Sequence, residues 1–156
     1  MSYIDVSGKC KNEFKGLAKL IAENVIELMQ FPKNLEIAIE FVSEKEIRRL
    51  NKTFRGIDKV TDVLSFPAFS LTAGEILDET ELDDTSKNEN GFIHFGDMAI
   101  CLKQCKRQSK EYGVTVESEI KKLVIHSVLH LMGYDHIKDE DYIIMKEKED
   151  KLDKLI

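Results

Sequence analysis

Three of the four histidines in this chain fall within residues 126–136, HSVLHLMGYDH. His126 and His130 are four residues apart, so on a helix their rings would lie on one face, one turn apart. Gly133 would let the chain leave the helix and turn back, so that His136 can reach the same point. Paired histidines at this spacing are typical of zinc-binding helices. The pattern therefore predicts a three-histidine metal site.

Three neutral nitrogen ligands suit zinc best, although nickel, cobalt or manganese also accept them. A structural zinc ion normally has four protein ligands, whereas a three-ligand site leaves one coordination position open for catalysis. A zinc ion in such a site lowers the pKa of a bound water to about 7 and polarises the bond to be cleaved. We therefore predict one catalytic Zn²⁺ per chain. Asp135 is expected to support the ligands by hydrogen bonding rather than to bind the ion.

The histidines and Gly133 match the register of zinc proteases of the H-E-x-x-H-x-x-G-x-x-H type. The glutamate that follows the first histidine in those enzymes is their general base, and Ser127 occupies that position here. A protease is therefore the weaker alternative. Ser127 is small, and its hydroxyl could bond back along its own helix.

The helix that carries the histidines is predicted to lie at the centre of the protein. Between Ile120 and Met132 the only charged residues are Lys121 and Lys122, and apolar residues lie nearly all round the helix. A helix of this kind is usually buried.

Apolar residues elsewhere alternate in short segments and recur at helical spacing in longer ones. The predicted strands are residues 2–7, 34–42, 61–69 and 91–101, and the predicted helices are residues 11–30, 43–55, 102–112, 115–132 and 139–156. This irregular order, with hairpin-like neighbours in the middle, predicts an α+β fold. We expect one domain over residues 1–156, with a small mixed β-sheet packed against helices.

The composition is that of a globular protein, with 42% apolar and 33% charged residues. There is no apolar run long enough to span a membrane, and the first residues lack the layout of a signal peptide. An odd number of cysteines without a C-x-x-C motif favours reduced thiols. We therefore expect a cytoplasmic protein.

The charge is unevenly distributed around a net value of −6. Residues 75–90 contain seven acidic residues against one lysine, which predicts a solvated loop. Residues 45–59 contain six basic residues against two acidic ones. Such a basic run is usually a solvated helix face, and it indicates phosphate binding only with further support.

The histidine stretch resembles H-G-x-L-H-L-x-G-Y-D-H of the YbeY endoribonuclease family, the bacterial rRNA maturation factors. NKTFRGIDKVTDVLSFP, residues 51–67, resembles that family's N-x-x-x-R-x-x-D-x-x-T-D-V-L-S-F-P, and FGDMAIC, residues 95–101, resembles its L-G-D-I-x-I stretch. Ser127, Val60 and Phe95 depart from the family's glycine, proline and leucine.

The resemblance implies a single-domain α+β metalloprotein with zinc bound by His126, His130 and His136. It also implies metal-dependent cleavage of single-stranded RNA in ribosomal RNA processing and ribosome quality control, with small-subunit ribosomal proteins as partners. Arg55 matches the family's functionally important arginine in the cleft. The nucleophile would be either a water molecule or the 2′-hydroxyl of the RNA.

This resemblance supports a phosphate-binding role for the basic run. We expect Arg55 to clamp the phosphate and stabilise the charge that develops on it. Four of the other basic residues are expected to follow the RNA backbone; they are Arg48, Arg49, Lys52 and Lys59. The alternative is a metal-stabilised ribosome-assembly adaptor with little turnover of its own.

Overall fold

The computed structural model describes residues 2–156. The elements in chain order are β1 (Tyr3–Gly8), α1 (Asn12–Leu28), β2 (Leu35–Phe41), α2 (Glu44–Arg55), β3 (Val63–Pro67), β4 (Ile93–Ile100), α3 (Leu102–Tyr112), α4 (Val116–Leu131) and α5 (Asp139–Leu155). The predicted α+β fold is confirmed, and every predicted strand and helix is present with its ends shifted by a few residues. Among residues 2–156, no helix is both long and apolar enough to cross a membrane.

The four strands form one mixed sheet in the order β1-β2-β4-β3. The first three strands in this order are parallel, and β3 runs antiparallel to β4 at the edge. Parallel neighbours need a crossover connection, which α1 supplies between β1 and β2. The edge position of β3 is compatible with Pro67, which has no backbone N–H to donate to a further strand.

The main hydrophobic core lies between one face of the sheet and the helices α1 and α4. On β4 the core residues are Ile93, Phe95, Met98 and Ile100, a set that changes from odd to even positions. A register shift between β2 and β4 adds one residue to β4 at this point. Because side chains alternate along a strand, the extra residue keeps both pairs on the same face of the sheet.

The predicted burial of α4 is confirmed. Ile125, Val128 and Leu129 are at most 1% exposed. The end of α4 also approaches the sheet closely at Gly96, where an added Cβ would lie 2.7 Å from a methyl group of Leu131. This close packing places the histidine end of α4 against β3 and β4.

A second, smaller apolar cluster lies on the opposite face of the sheet, where α2 packs. Its buried members are Ile47, Leu64, Ala99 and Cys101. Ser43 caps α2 by accepting a hydrogen bond from the backbone N of Glu46 at 3.1 Å. The cluster therefore fixes the position of α2, whose last residue is Arg55.

The acidic segment 75–90 is a largely exposed loop, as predicted. It contains two short 3-10 turns, Glu79–Glu81 and Asp84–Ser86. An aspartate precedes each turn and accepts a hydrogen bond from a backbone N two residues later, at 3.0 Å for Asp78 and 3.1 Å for Asp83. These local bonds explain why so polar a segment adopts defined turns.

Candidate metal centre and its cleft

His126 and His130 lie on the last two turns of α4 and direct the same ring nitrogen toward each other. Their Nε2 atoms are 3.1 Å apart. The Nδ1 atom of His126 lies 2.5 Å from Oε1 of Glu149, and Nδ1 of His130 lies 2.8 Å from the backbone oxygen of Tyr134. With a proton on each Nδ1, both rings donate to these acceptors and leave the Nε2 lone pairs free for a common ligand.

His136 joins this pair because the chain reverses at Gly133. Gly133 has a φ of +97°, and an added Cβ would lie 2.3 Å from the backbone oxygen of Leu71. Only glycine meets both conditions without a shift of the backbone. The potential ligand atoms of the three histidines all lie within 4.8 Å of one another, so the structure brings together the residues that the sequence predicts.

The three histidines fit a divalent metal ion. Nitrogen ligands about 2.0–2.1 Å from a tetrahedral zinc ion lie roughly 3.4 Å apart, which the His126–His130 pair nearly matches. The third ligand is on His136, whose side chain is 46% exposed and can rotate toward the pair. These residues could therefore hold one metal ion with little movement of the backbone.

The electrostatic environment keeps His130 neutral. Burial lowers the pKa of His130 to about 4, and the positive charge that His126 and His136 can carry lowers it in the same direction. A hydrogen bond to the Tyr134 backbone oxygen opposes the shift. A neutral imidazole is the form that binds a metal, so His130 does not have to lose a proton near neutral pH.

Glu149 is a site residue that the sequence analysis missed. It belongs to α5, and its side chain is 15% exposed where it meets His126. The buried residues of α5 are Met145 and Leu152, which share a helical stripe with Glu149. The sequence does contain a signal for this role, because Glu149 is a single carboxylate on the apolar stripe of α5. A carboxylate is seldom buried without a partner.

The hydroxyl of Ser127 is bonded across the fold rather than along its own helix. Its Oγ lies 2.5 Å from Oγ of Ser65 on β3. Ser127 is completely buried, so this partner satisfies a hydroxyl that would otherwise be costly to bury. The bond back along α4 that the sequence allowed is replaced by this contact with the sheet. This bond ties the histidine helix to β3.

The three histidines lie in a cleft with a volume of about 940 Å³. The end of α2 and β3 line one side, and α4 with residues 133–137 lines the other. Arg55 lies in this cleft, as does Lys122 of α4, which the sequence analysis did not assign to the site. The cleft therefore combines a metal-binding group with two basic residues and with four acidic ones, Asp62, Glu119, Asp135 and Glu149.

The other basic residues predicted to bind RNA do not line this cleft; they are Arg48, Arg49, Lys52 and Lys59. Two of them form ion pairs on the surface. Arg48 Nε lies 2.8 Å from Asp58, and Arg49 donates two hydrogen bonds to Glu46 at 3.0 and 2.6 Å. These carboxylates neutralise part of the positive charge counted from the sequence. A role in RNA binding for these four residues stays a prediction.

Asp135 lines the same cleft beside the third histidine. Its Oδ1 accepts a hydrogen bond from the backbone N of His136 at 2.7 Å, while the Nδ1 of that ring is 4.0 Å from the same oxygen. The structure thus places Asp135 where it can hold the backbone of a ligand, and a direct bond to the ring would need a small rotation.

Comparisons with known proteins agree with this geometry. The profile of the family described as Endoribonuclease YbeY matches residues 4–155. A Thermoanaerobacter protein named Endoribonuclease YbeY is 42% identical over 138 residues, which is 87% of this chain and 83% of the relative. A Clostridium botulinum protein of the same name is 36% identical over 147 residues, 92% of this chain and 89% of the relative.

The fold is also found among solved structures. The solution structure of a Thermotoga maritima protein superposes with a TM-score of 0.63 at 28% sequence identity, and the match covers 97% of this chain and 87% of that one.

Proposed function

The chain belongs to the endoribonuclease YbeY family, and we propose that it uses the cleft around His126, His130 and His136 to cleave single-stranded RNA with a bound zinc ion. The observation that carries this proposal is the arrangement of three histidines beside Arg55 in one cleft. Enzymes of the family are hydrolases that act on RNA. The proposed substrate is ribosomal RNA in the cytoplasm, with small-subunit ribosomal proteins as partners.

In this proposal the three histidines bind the ion, and neighbouring groups orient His126 and His130 by hydrogen bonding. With a proton on each Nδ1, His126 donates a hydrogen bond to Glu149 and His130 donates one to the Tyr134 backbone oxygen. These bonds fix both the tautomer and the orientation of each ring. A zinc ion bound there would lower the pKa of a water molecule to about 7 and polarise a phosphoryl oxygen.

In this proposal Arg55 binds the scissile phosphate. Among the described residues, no carboxylate forms an ion pair with Arg55, whereas Arg48, Arg49 and Arg107 each pair with one. An unpaired guanidinium can donate two parallel hydrogen bonds to a phosphate and stabilise the charge that develops there. Lys122 also lines the cleft, although its ammonium lies 5.2 Å from the ring centroid of Tyr112, which does not line it.

The test of this function is cleavage of a labelled single-stranded RNA with and without a chelator. We expect cleavage that the chelator abolishes and that added zinc restores. The His130→Ala variant should lose both bound zinc and activity. Purified, fully metallated protein that binds the RNA without cleaving it would contradict the proposal and favour an assembly adaptor.

Arg55→Ala separates phosphate binding from folding. Arg55 is exposed and lies at the end of α2, so the variant should keep its melting temperature and metal content while its cleavage rate falls about 100-fold. Arg107→Ala is the matched control, because that arginine is exposed and pairs with Glu44 outside the cleft. A loss of stability along with the rate in Arg55→Ala would show that Arg55 has a structural role.

A further inference from the structure

Phe54 is a largely exposed aromatic residue that lines the cleft. It continues the buried stripe of α2 formed by Ile47 and Asn51, at the spacing of one helical face. Its side chain nevertheless remains 62% exposed. Packing alone therefore does not account for a large apolar ring at this position, which lies directly before Arg55.

The ring of Phe54 is held in place by a single aromatic neighbour. Its centroid lies 5.1 Å from that of Phe66 on β3, with the planes inclined at 67°. An edge-to-face contact of this kind orients both rings and occupies only a small part of their surface. Phe54 therefore contacts Phe66, lines the cleft and keeps most of its surface accessible.

The surroundings of this ring indicate which ligand would cover it. The cleft wall combines Phe54, Phe66 and Phe69 with the cationic residue Arg55. An aliphatic chain would leave the charge of Arg55 without a partner, and a free phosphate would leave the aromatic rings uncovered. A nucleotide carries a planar base and a phosphate on one unit, so it satisfies both groups at once.

We propose that Phe54 is a base-stacking residue, which receives an unpaired nucleobase next to the phosphate that Arg55 binds. This inference rests on the proposed function and gives it a physical basis for single-strand preference. In a duplex each base already stacks on its neighbours within the helix, and its faces are covered. An unpaired base offers a free face to Phe54, and every base can do so, because stacking depends little on base identity.

The first test compares steady-state cleavage by Phe54→Leu, Phe54→Trp and the wild type. Loss of one base–aromatic contact should raise KM by about 5- to 150-fold. The kcat should change little, since the contact is made equally in the ground and transition states. Phe54→Trp should keep a KM close to that of the wild type, which a merely structural role for the ring would not predict. Tyr3→Leu is the matched control, because Tyr3 is 50% exposed on β1, at the far edge of the sheet.

The second test observes stacking directly. It uses a set of RNA oligonucleotides, each of which carries the fluorescent base 2-aminopurine at a different position. On rapid mixing, before cleavage, the wild type should quench the fluorescence at one position, and Phe54→Leu should not. Quenching and KM that are unchanged in Phe54→Leu would overturn the stacking role while leaving the nuclease intact. A wild type that quenches without cleaving would support stacking and contradict the proposed function instead.

Discussion

Replacement of Glu149 by alanine should weaken zinc binding about 10- to 100-fold without unfolding the protein. The Glu149 carboxylate lies 2.5 Å from Nδ1 of His126, and its side chain is 15% exposed. A hydrogen bond that involves a charged group is worth about 1.5–3 kcal/mol. Each 1.4 kcal/mol corresponds to a factor of ten in the dissociation constant. Loss of this bond should therefore weaken zinc binding about 10- to 100-fold, which is typical when a hydrogen-bond partner of a metal-binding histidine is removed.

The effect should depend on the charge as well as on the acceptor atom. Glu149→Gln keeps an oxygen that can accept a hydrogen bond from Nδ1 of His126, but it removes the negative charge. Its zinc affinity should therefore lie between those of the wild type and Glu149→Ala. The fold should tolerate both changes, because the His126 side chain is 28% exposed and water can replace the lost acceptor.

Zinc affinity would be measured by competition with a chromophoric chelator, and folding by circular dichroism on the same preparation. Glu147→Ala provides the matched control, since Glu147 is an exposed glutamate on the same helix that does not line the cleft. If Glu149→Ala binds zinc as tightly as the wild type and Glu147→Ala, then the Glu149–His126 contact does not orient the ligand.

Two further predictions concern the turn before the third histidine and the thiols. Gly133→Ala should lower the free energy of unfolding by at least about 1–2 kcal/mol, because φ is +97° and the new Cβ would meet the Leu71 backbone oxygen; urea unfolding that is unchanged would refute this account of the turn. In the native protein a thiol reagent at pH 8 should modify Cys10 alone, since Cys101 and Cys105 are fully buried and burial raises the pKa of Cys105 to about 12. Rapid modification of all three thiols without denaturant would show that this core opens readily.

Local sequence patterns were sufficient to predict the secondary structure and the grouping of the three histidines that could hold a metal ion. The helix α4 could be predicted because its apolar residues recur within the helix itself, and His126 and His130 meet through the pitch of one helix. His136 follows after a single turn that Gly133 permits. In each case the residues that interact are close in the chain, so their spacing carries the geometric information.

The direction and order of the strands required the tertiary structure. Alternating apolar residues indicate that a segment is a strand, but they do not identify its neighbours. The parallel β2–β4 pair brings together residues such as Leu35 and Ile93, which are separated by a helix, a further strand and the acidic loop. The extra residue in β4 was likewise not predicted, because a bulge is defined only by the partner strand.

The sequence by itself was enough to predict that three histidines come together where they could hold a metal ion, that α4 is buried and that a basic helix ends at Arg55. Only the tertiary structure decided which residues surround that site. Glu149 reaches His126 from 23 residues away, and Ser65 reaches Ser127 from 62 residues away. Packing likewise brings Phe54 and Lys122 into the cleft, while Arg48 and Arg49 pair with carboxylates outside it. The physical reason is that helical spacing fixes contacts within one element, whereas contacts between elements depend on how the whole core packs.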